Sequence, residues 1–212
     1  MDDLSWDPAG LPRGEGSVGL VIEGPLAHVT IDNPSARNAM SPGMMADLVQ
    51  IIDTLEDAQV AVVLIRGAAD KAFCAGGDLR SVAAHLMEAE HAAGMCAVMT
   101  DALNRLASLH SVVLAAVEGA ALGGGAEILS AADGVVAAQS ATVGFIHGRL
   151  GVSPGWGGGG RLVRRLGAAR ALQVLTLAQR MSAEEACRLG MVDRVVADGA
   201  AVAEATEWAA QI

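Results

Sequence analysis

Two short segments of this chain carry the residue types that a developing oxyanion needs: Phe73-Cys74-Ala75-Gly76-Gly77-Asp78 and Ala121-Leu122-Gly123-Gly124-Gly125-Ala126-Glu127. Each follows an apolar β-type run, Val60–Ile65 and Val112–Val117, where a buried strand should give way to a loop or helix. Glycine at such a point lets backbone approach a ligand closely and turns N–H groups outward. Two such turns, each offering one N–H, can form an oxyanion hole for a carbonyl that gains negative charge. Glu127 falls just inside the helix after the second turn. There it is either a partner of the helix dipole or an acid/base group. His147, in Val143-Gly144-Phe145-Ile146-His147-Gly148-Arg149-Leu150-Gly151, is a lone histidine, a type that is usually a surface or satisfied core residue, although imidazole can donate or accept a proton near neutral pH. The remaining histidines, His28, His85, His91 and His110, are scattered and match no metal spacing, so no metal is expected.

The elements that must position these residues alternate between strands and helices. Val18–Glu23 and Leu26–Asp32 read as strands around Gly24-Pro25. Ser41-Pro42 reads as an N-cap with proline at the first helical position, opening a helix to about Asp57. Met44, Met45, Leu48, Ile51, Ile52 and Leu55 share one face of it, the methionines as core filler. Strand Val60–Arg66 leads into the first glycine turn, and a long helical stretch follows from about Arg80 to Ala107. Strand Val112–Val117 leads into the second turn, with a helix from Gly124 to about Ala132. Short strands follow near Gly134–Ala138 and Ala141–Gly144, then a glycine-dense loop from Gly151 to Gly160 and a helix through Arg161–Arg165. Ser182-Ala183-Glu184-Glu185 has the spacing of a capping box. Alternating strands and helices imply an α/β fold with largely buried strands. No internal repeat is evident.

At 212 residues the chain is expected to form one domain, over 17–212, with residues 1–16, polar and rich in Pro and Gly, as a loose arm. Hydrophobic residues make up 52%, yet two Phe, three Trp and no Tyr leave the core to aliphatic side chains. No run approaches the ~18 unbroken apolar residues of a membrane helix, and the acidic start Met1-Asp2-Asp3 argues against a secretory or transit signal. Both point to the cytoplasm without a membrane partner. A net charge of −10 argues against nucleic acid. Arg161, Arg164, Arg165 and Arg170 could form a local basic patch, but read more simply as a solvated helix face. Three cysteines without C-x-x-C spacing suit a reducing compartment with neither disulfides nor structural zinc. Cys74 reads as a small packing residue.

With Asn33-Pro34…Arg37-Asn38-Ala39, the two glycine segments, Pro154-x-Trp156-Gly157-Gly158 with Arg161-Leu162, and Ala186-x-x-x-Gly190-Met191-Val192, the chain resembles the crotonase (enoyl-CoA hydratase/isomerase) superfamily from about Val18 onward. The resemblance implies a spiral of ββα units, assembled as a homotrimer or homohexamer, acting on acyl-CoA thioesters with no cofactor beyond the CoA of the substrate. Carried across residue by residue, it makes the N–H groups of Gly77 and Gly124 the oxyanion donors. It places Ala75, Gly76, Asp78 and Leu79 along the CoA site with Ala39, and Arg37 near the CoA phosphates. Trp156 becomes either a wall of the acyl pocket or a packing residue.

In hydratases of that family a glutamate at the place of Glu127 works with a second glutamate, and the position of the second is His147 here. The pattern F-I-H-x-x-L-G-V-x-P-x-W-G-G-x-x-R-L-V looks like the ethylmalonyl-CoA/methylmalonyl-CoA decarboxylase-like branch. An imidazole does not repel a substrate carboxylate as a glutamate would. Decarboxylation is thus the leading expectation. An enoyl-CoA hydratase or isomerase is the alternative, and a non-catalytic CoA-binding or assembly subunit is a third. The chain stops at Ile212, before the helices that usually cap the acyl pocket in this family; it is thus expected to be a short form, a truncated sequence, or one lidded by another chain.

Overall fold

The computed structural model describes residues 12–68, 72–80 and 89–212. Among these residues ten strands form two sheets, and the elements alternate as the sequence pattern requires. β1 (Ser17–Glu23) and β2 (Leu26–Asp32) make an antiparallel hairpin, and β3 (Val62–Gly67), β5 (Val112–Val117), β7 (Gly134–Ala138) and β10 (Arg194–Val196) continue the sheet in parallel. A smaller sheet holds β4 (Ala72–Cys74), β6 (Ala120–Leu122) and β8 (Thr142–Gly144) in parallel, with β9 (Met181–Ser182) antiparallel at its edge. Each long parallel strand is thus followed by a short one in the second sheet: β3 by β4, β5 by β6, β7 by β8. This is the ββα spiral that the family resemblance implies.

Alternation along the strands divides the core. Val63 and Ile65 of β3, with Val113, Ala115 and Val117 of β5, face the main cluster under helices α1 (Pro42–Asp57) and α2 (Ala89–Leu106). Val62, Leu64, Leu114 and Ala116 face the other way, onto α7 (Ala201–Ala209). Burial on both faces explains why these strands read as continuous apolar runs. Ala201, Ala205 and Ala209, one turn apart, let α7 lie close to the sheet. The buried Glu118 carboxylate fixes that docking by accepting from Gly199 N (3.1 Å) and Ala201 N (2.9 Å) at the start of α7.

α1 begins as its sequence dictates. Ser41 Oγ accepts from Met44 N at 3.3 Å with Pro42 in the first turn, and Met44, Met45, Leu48, Ile51, Ile52 and Leu55 are buried. The Ser182 capping box opens α6 (Ala183–Leu189), and Gly190 at φ +91° closes it. Met191 N then bonds Ala186 O at 2.8 Å, which accounts for the Ala186…Gly190-Met191 spacing.

Some boundaries differ from the sequence reading. The helix after the second glycine turn, α3, spans Gly124–Leu129 and stops short of Ala132, and α4 starts at Gly158 rather than Arg161, running to Leu166. A further helix, α5 (Ala168–Leu177), and the short strands β4, β6, β9 and β10 carry no periodic signal of their own. Within the N-terminal arm, Arg13 pairs with Asp47 at 2.6 Å, its carbonyl accepts from Gly43 N, and Glu15 bonds Ser35 at 2.8 Å. Residues 13–15 are therefore tied to the domain. Residues 81–88 of the long helical stretch expected from Arg80, including His85, lie outside the described residues.

Candidate active site

The chemistry-bearing residues converge at the ends of the small sheet. β4 delivers the Gly76-Gly77 turn, β6 delivers Gly123-Gly124 and α3, and β8 delivers Phe145 and a 3-10 turn over Ile146–Leu150 that contains His147. The first turn is held by the Asn33–Met40 segment. Asn38, at φ +57°, donates from its amide nitrogen to Ala72 O (2.7 Å) and Ala68 O (3.1 Å), and its amide oxygen accepts from Asn33 N (2.9 Å). Ala75 N donates to Arg37 O, Met40 N to Gly76 O, and Asp78 N to Met40 O. Met40 and Gly77 form a parallel bridge through the groups on either side of Gly77, so the Gly77 N–H points away from Met40.

The second turn meets the first back to back. A Cβ added to Gly76, whose φ is +106°, would stand 3.2 Å from Gly124 N, so only glycine lets the two backbones come this close. Gly123 sits at φ +56°, ψ −121°, a region open to glycine alone, and caps α3. The first intrahelical bond runs from Glu127 N to Gly123 O, leaving the Gly124 N–H ahead of it without a helical partner. Both turns rest on the Trp156 indole. A Cβ on Gly77 would lie 3.8 Å from its Cζ2, and one on Gly124 would run into the ring at 2.5 Å from Cη2. Trp156 is 4% exposed and packs against both turns.

Glu127 is 1% exposed, and its carboxylate is fully engaged. Oε2 accepts from Trp156 N (2.9 Å) and Gly158 N (2.8 Å), while Oε1 accepts from Gly155 N (3.2 Å) and faces His147 Nε2 at 3.0 Å. A carboxylate offers about four acceptor positions; three backbone donors fill three of them here, and His147 Nε2 stands at the fourth. The backbone donors lie at the entry to α4, so its first N–H groups hold the anion. An approach of 3.0 Å between Nε2 and a carboxylate oxygen, which can only accept, is that of a ring protonated at Nε2. Nδ1, buried and without a partner among the described residues, is the nitrogen left over. The imidazole is 13% exposed and tilted against Phe145, with ring centroids 6.1 Å apart.

The other expected residues are near this centre but differ in character. Ala39 and Gly76 are buried, Ala75 and Asp78 half-buried, and Leu79 and Arg37 exposed. Arg37, at φ +54°, contributes its carbonyl to the first turn, and its side chain stands in solvent. Cys74 is fully buried in the core, where loss of hydration pushes its thiol up to about 12. Cys96 on α2 packs its sulfur beside Gly155, and burial followed by the Glu127 charge raises its thiol.

The solvated arginine face is corrected by the structure. Arg161 is 3% exposed and lies behind the Glu127 cage, whereas Arg164 is exposed and Arg165 pairs with Asp193 and donates to Gly190 O. The spacing of residues 161, 164 and 165 puts all three on one side of a helix, so periodicity had no means of separating the buried one. What separates it is position, since the first turn of α4 lies beneath α2 and α3. Two further residues of α2, Thr100 and Asn104, also serve the cage and carry no motif. A cavity of about 620 Å³ lies elsewhere, between the C-terminal ends of α1 and α2, lined by Leu55, Gln59, Arg105 and His110 among others. None of the site residues borders it. Among the described residues no helix is long and apolar enough to cross a membrane, and no cluster of His, Cys, Asp and Glu could hold a metal.

Comparison with known proteins agrees with this architecture. Residues 22–212 match the enoyl-CoA hydratase/isomerase family. The ethylmalonyl-CoA decarboxylase of Xenopus laevis is 36% identical over 185 residues, which cover 86% of this chain and 62% of that protein. The short-chain-enoyl-CoA hydratase of Clostridium acetobutylicum is 36% identical over 178 residues, 84% of this chain and 67% of that one. The crystal structure of an enoyl-CoA hydratase from Bacillus anthracis superposes with a TM-score of 0.86 at 31% identity, covering 92% of this chain and 76% of that one. The chain thus spans about six-tenths of the length of the first of these relatives. With the ββα spiral, the paired glycine turns and a match over nearly all of its length, the chain belongs to the crotonase (enoyl-CoA hydratase/isomerase) family.

Proposed function

We propose that this chain decarboxylates a malonyl-type CoA thioester, methylmalonyl- or ethylmalonyl-CoA, through an enolate held by the N–H groups of Gly77 and Gly124. The observation that carries the reading is the saturated Glu127 carboxylate beside a histidine with one unpartnered nitrogen. Hydration by a carboxylate pair needs an oxygen free to take water, and Glu127 has none to spare. Decarboxylation needs only an electron sink and then a proton. The bond from the α-carbon to the substrate carboxylate breaks, CO₂ leaves, and the electron pair passes into the thioester as an enolate oxygen. Donors at that oxygen act where the charge develops. The α-carbon then takes a proton from the His147 imidazole, which water later restores. The resemblance to the Xenopus decarboxylase supports this choice.

The runner-up, an enoyl-CoA hydratase or isomerase, draws on the Clostridium relative and on the retention of Glu127. The reading extends to the outer site: Ala75, Gly76, Asp78, Leu79 and Ala39 along the CoA, with exposed Arg37 free to meet its phosphates. A homotrimer or homohexamer is the assembly that goes with it.

Incubation with methylmalonyl-, ethylmalonyl- and crotonyl-CoA tests the reaction. CO₂ release from the first two without hydration of the third is expected. Hydration of crotonyl-CoA without CO₂ overturns the decarboxylase reading, and CoA binding with neither reaction moves the chain to a non-catalytic role. Gly124→Ala tests the hole. The added methyl meets the Trp156 ring, which must move, and the N–H moves with it. A loss of about 10²–10³ in kcat is expected, the size seen when one oxyanion donor is removed. A variant that folds and turns over normally would remove Gly124 from the hole.

A further inference from the structure

We propose that Arg161 is a positioning residue for the Glu127–His147 pair, gripping from behind the backbone that holds the Glu127 carboxylate. The loop at residues 155–157 presents its N–H groups to Glu127, and its carbonyls face the other way. Arg161, one turn into α4, reaches back to Trp156 O and, at 3.5 Å, to Glu127 O. Its Nε donates to Ser130 Oγ (3.0 Å) at the end of α3, and Nη1 donates to Asn104 Oδ1 (2.8 Å) of α2. Ser130 Oγ in turn donates to Glu127 O at 2.6 Å. One turn along α2, Thr100 Oγ1 donates to Gly155 O at 3.1 Å. The backbone of Trp156 is therefore bracketed, its N–H on the carboxylate and its carbonyl on the guanidinium.

The charges make the arrangement selective. Glu127 and Arg161 are both nearly excluded from water, and their side chains are joined through the backbone of one residue rather than by a direct salt bridge. Burial lowers the guanidinium to about 10, with the Glu127 anion working against that shift and Arg164 adding to it. A buried cation is retained when its donors are satisfied; here the fork spends them on three segments, α2, the end of α3 and the 155–157 loop. Lysine, with a compact ammonium, does not span all three. An error of about 1 Å in the placement of a catalytic group can cost about 10²-fold in rate.

The inference rests on the proposed reaction for its kinetic readout, so the test has a second arm that needs no turnover. Arg161→Gln is expected to lower kcat for CO₂ release by about 10²-fold with KM within about twofold, and Arg161→Lys to recover only part of it. In ¹⁵N-resolved imidazole spectra, the His147 Nε2–H signal, identified by its loss in His147→Gln, should shift or broaden in Arg161→Gln. Should that variant fail to fold, Asn104→Ala and Ser130→Ala each release one arm of the fork, and smaller losses of kcat with the same spectral change are expected. Folded variants with wild-type kcat and an unchanged His147 signal overturn the proposal. If the wild-type chain releases no CO₂ from any thioester, the reaction is wrong, while the His147 signal alone decides the role of Arg161.

Discussion

In the His147→Ala variant, release of CO₂ is expected to fall by about 10²–10⁴-fold, while the protein folds and still binds the CoA thioester. The ring is the only proton-carrying group of the site with a nitrogen unclaimed among the described residues. Its removal leaves the Gly77 and Gly124 turns untouched, because they belong to other strands. Glu127 loses one of four donors and keeps the three from backbone, so the entry to α4 stays organised. The enolate then still forms but has to take its proton from water. Rates of CO₂ release, set beside calorimetric binding of a non-decarboxylating acyl-CoA, separate the two effects. Near-normal turnover in this variant would return His147 to the rank of a packing residue.

Glu127→Gln should be as damaging for a different reason. The amide is nearly isosteric, and its oxygen can serve Trp156 N and Gly158 N as Oε2 does. The NH₂ group then occupies the place of Oε1, where it faces two groups that are now donors, Gly155 N–H and His147 Nε2–H. Gly155 loses its acceptor, at about 1–3 kcal/mol for a buried unsatisfied group. His147 can resolve its own conflict only by moving the proton to Nδ1 and accepting at Nε2. A neutral ring held that way carries its one proton on the buried Nδ1 and has none left at Nε2. In a serine-protease triad the corresponding carboxylate-to-amide change traps the wrong tautomer and lowers kcat about 10⁴-fold. A loss of about 10³–10⁴ is expected here, with a thermal midpoint lowered by roughly 2–4 °C for each kcal/mol lost at Gly155. A Glu127→Gln protein with more than a tenth of normal activity would show that the carboxylate does not set the state of the ring.

The long elements of this fold were legible because each carries a physical signal of its own. Val112–Val117 is apolar throughout because both faces of its sheet are covered. Ser41-Pro42 and Ser182-x-x-Glu185 announce helix starts through the donors they satisfy. The short strands β4, β6 and β8 are three residues each, too short for periodicity, and are fixed by the turns around them. Within the candidate site, the two glycine turns drew attention by their place after apolar strands, and the family resemblance singled out Gly77, Gly124, Glu127 and His147 in them and beside them. Neither signal reached the grip on Glu127. It is made by backbone N–H groups of residues 155, 156 and 158, which no side chain advertises, and by Arg161, whose neighbours in sequence are ordinary surface arginines. The family resemblance identified where the carboxylate lies, and only the coordinates show that its acceptor positions are filled.

The three short parallel strands also divide the labour of the site. β4 and β6 end in the turns that carry the backbone donors, whereas β8 ends in the turn that carries the imidazole. In the proposed reaction, the part that accepts electrons and the part that handles protons are therefore separate cassettes, joined side by side through a ladder of main-chain bonds indifferent to side-chain identity. Exchange of a single side chain on the third cassette, residue 147, can redirect what becomes of the enolate without disturbing how it is made. A scaffold wired in this way can diversify its reactions through one surface turn while its most demanding geometry, the contact between Gly76 and Gly124, stays frozen.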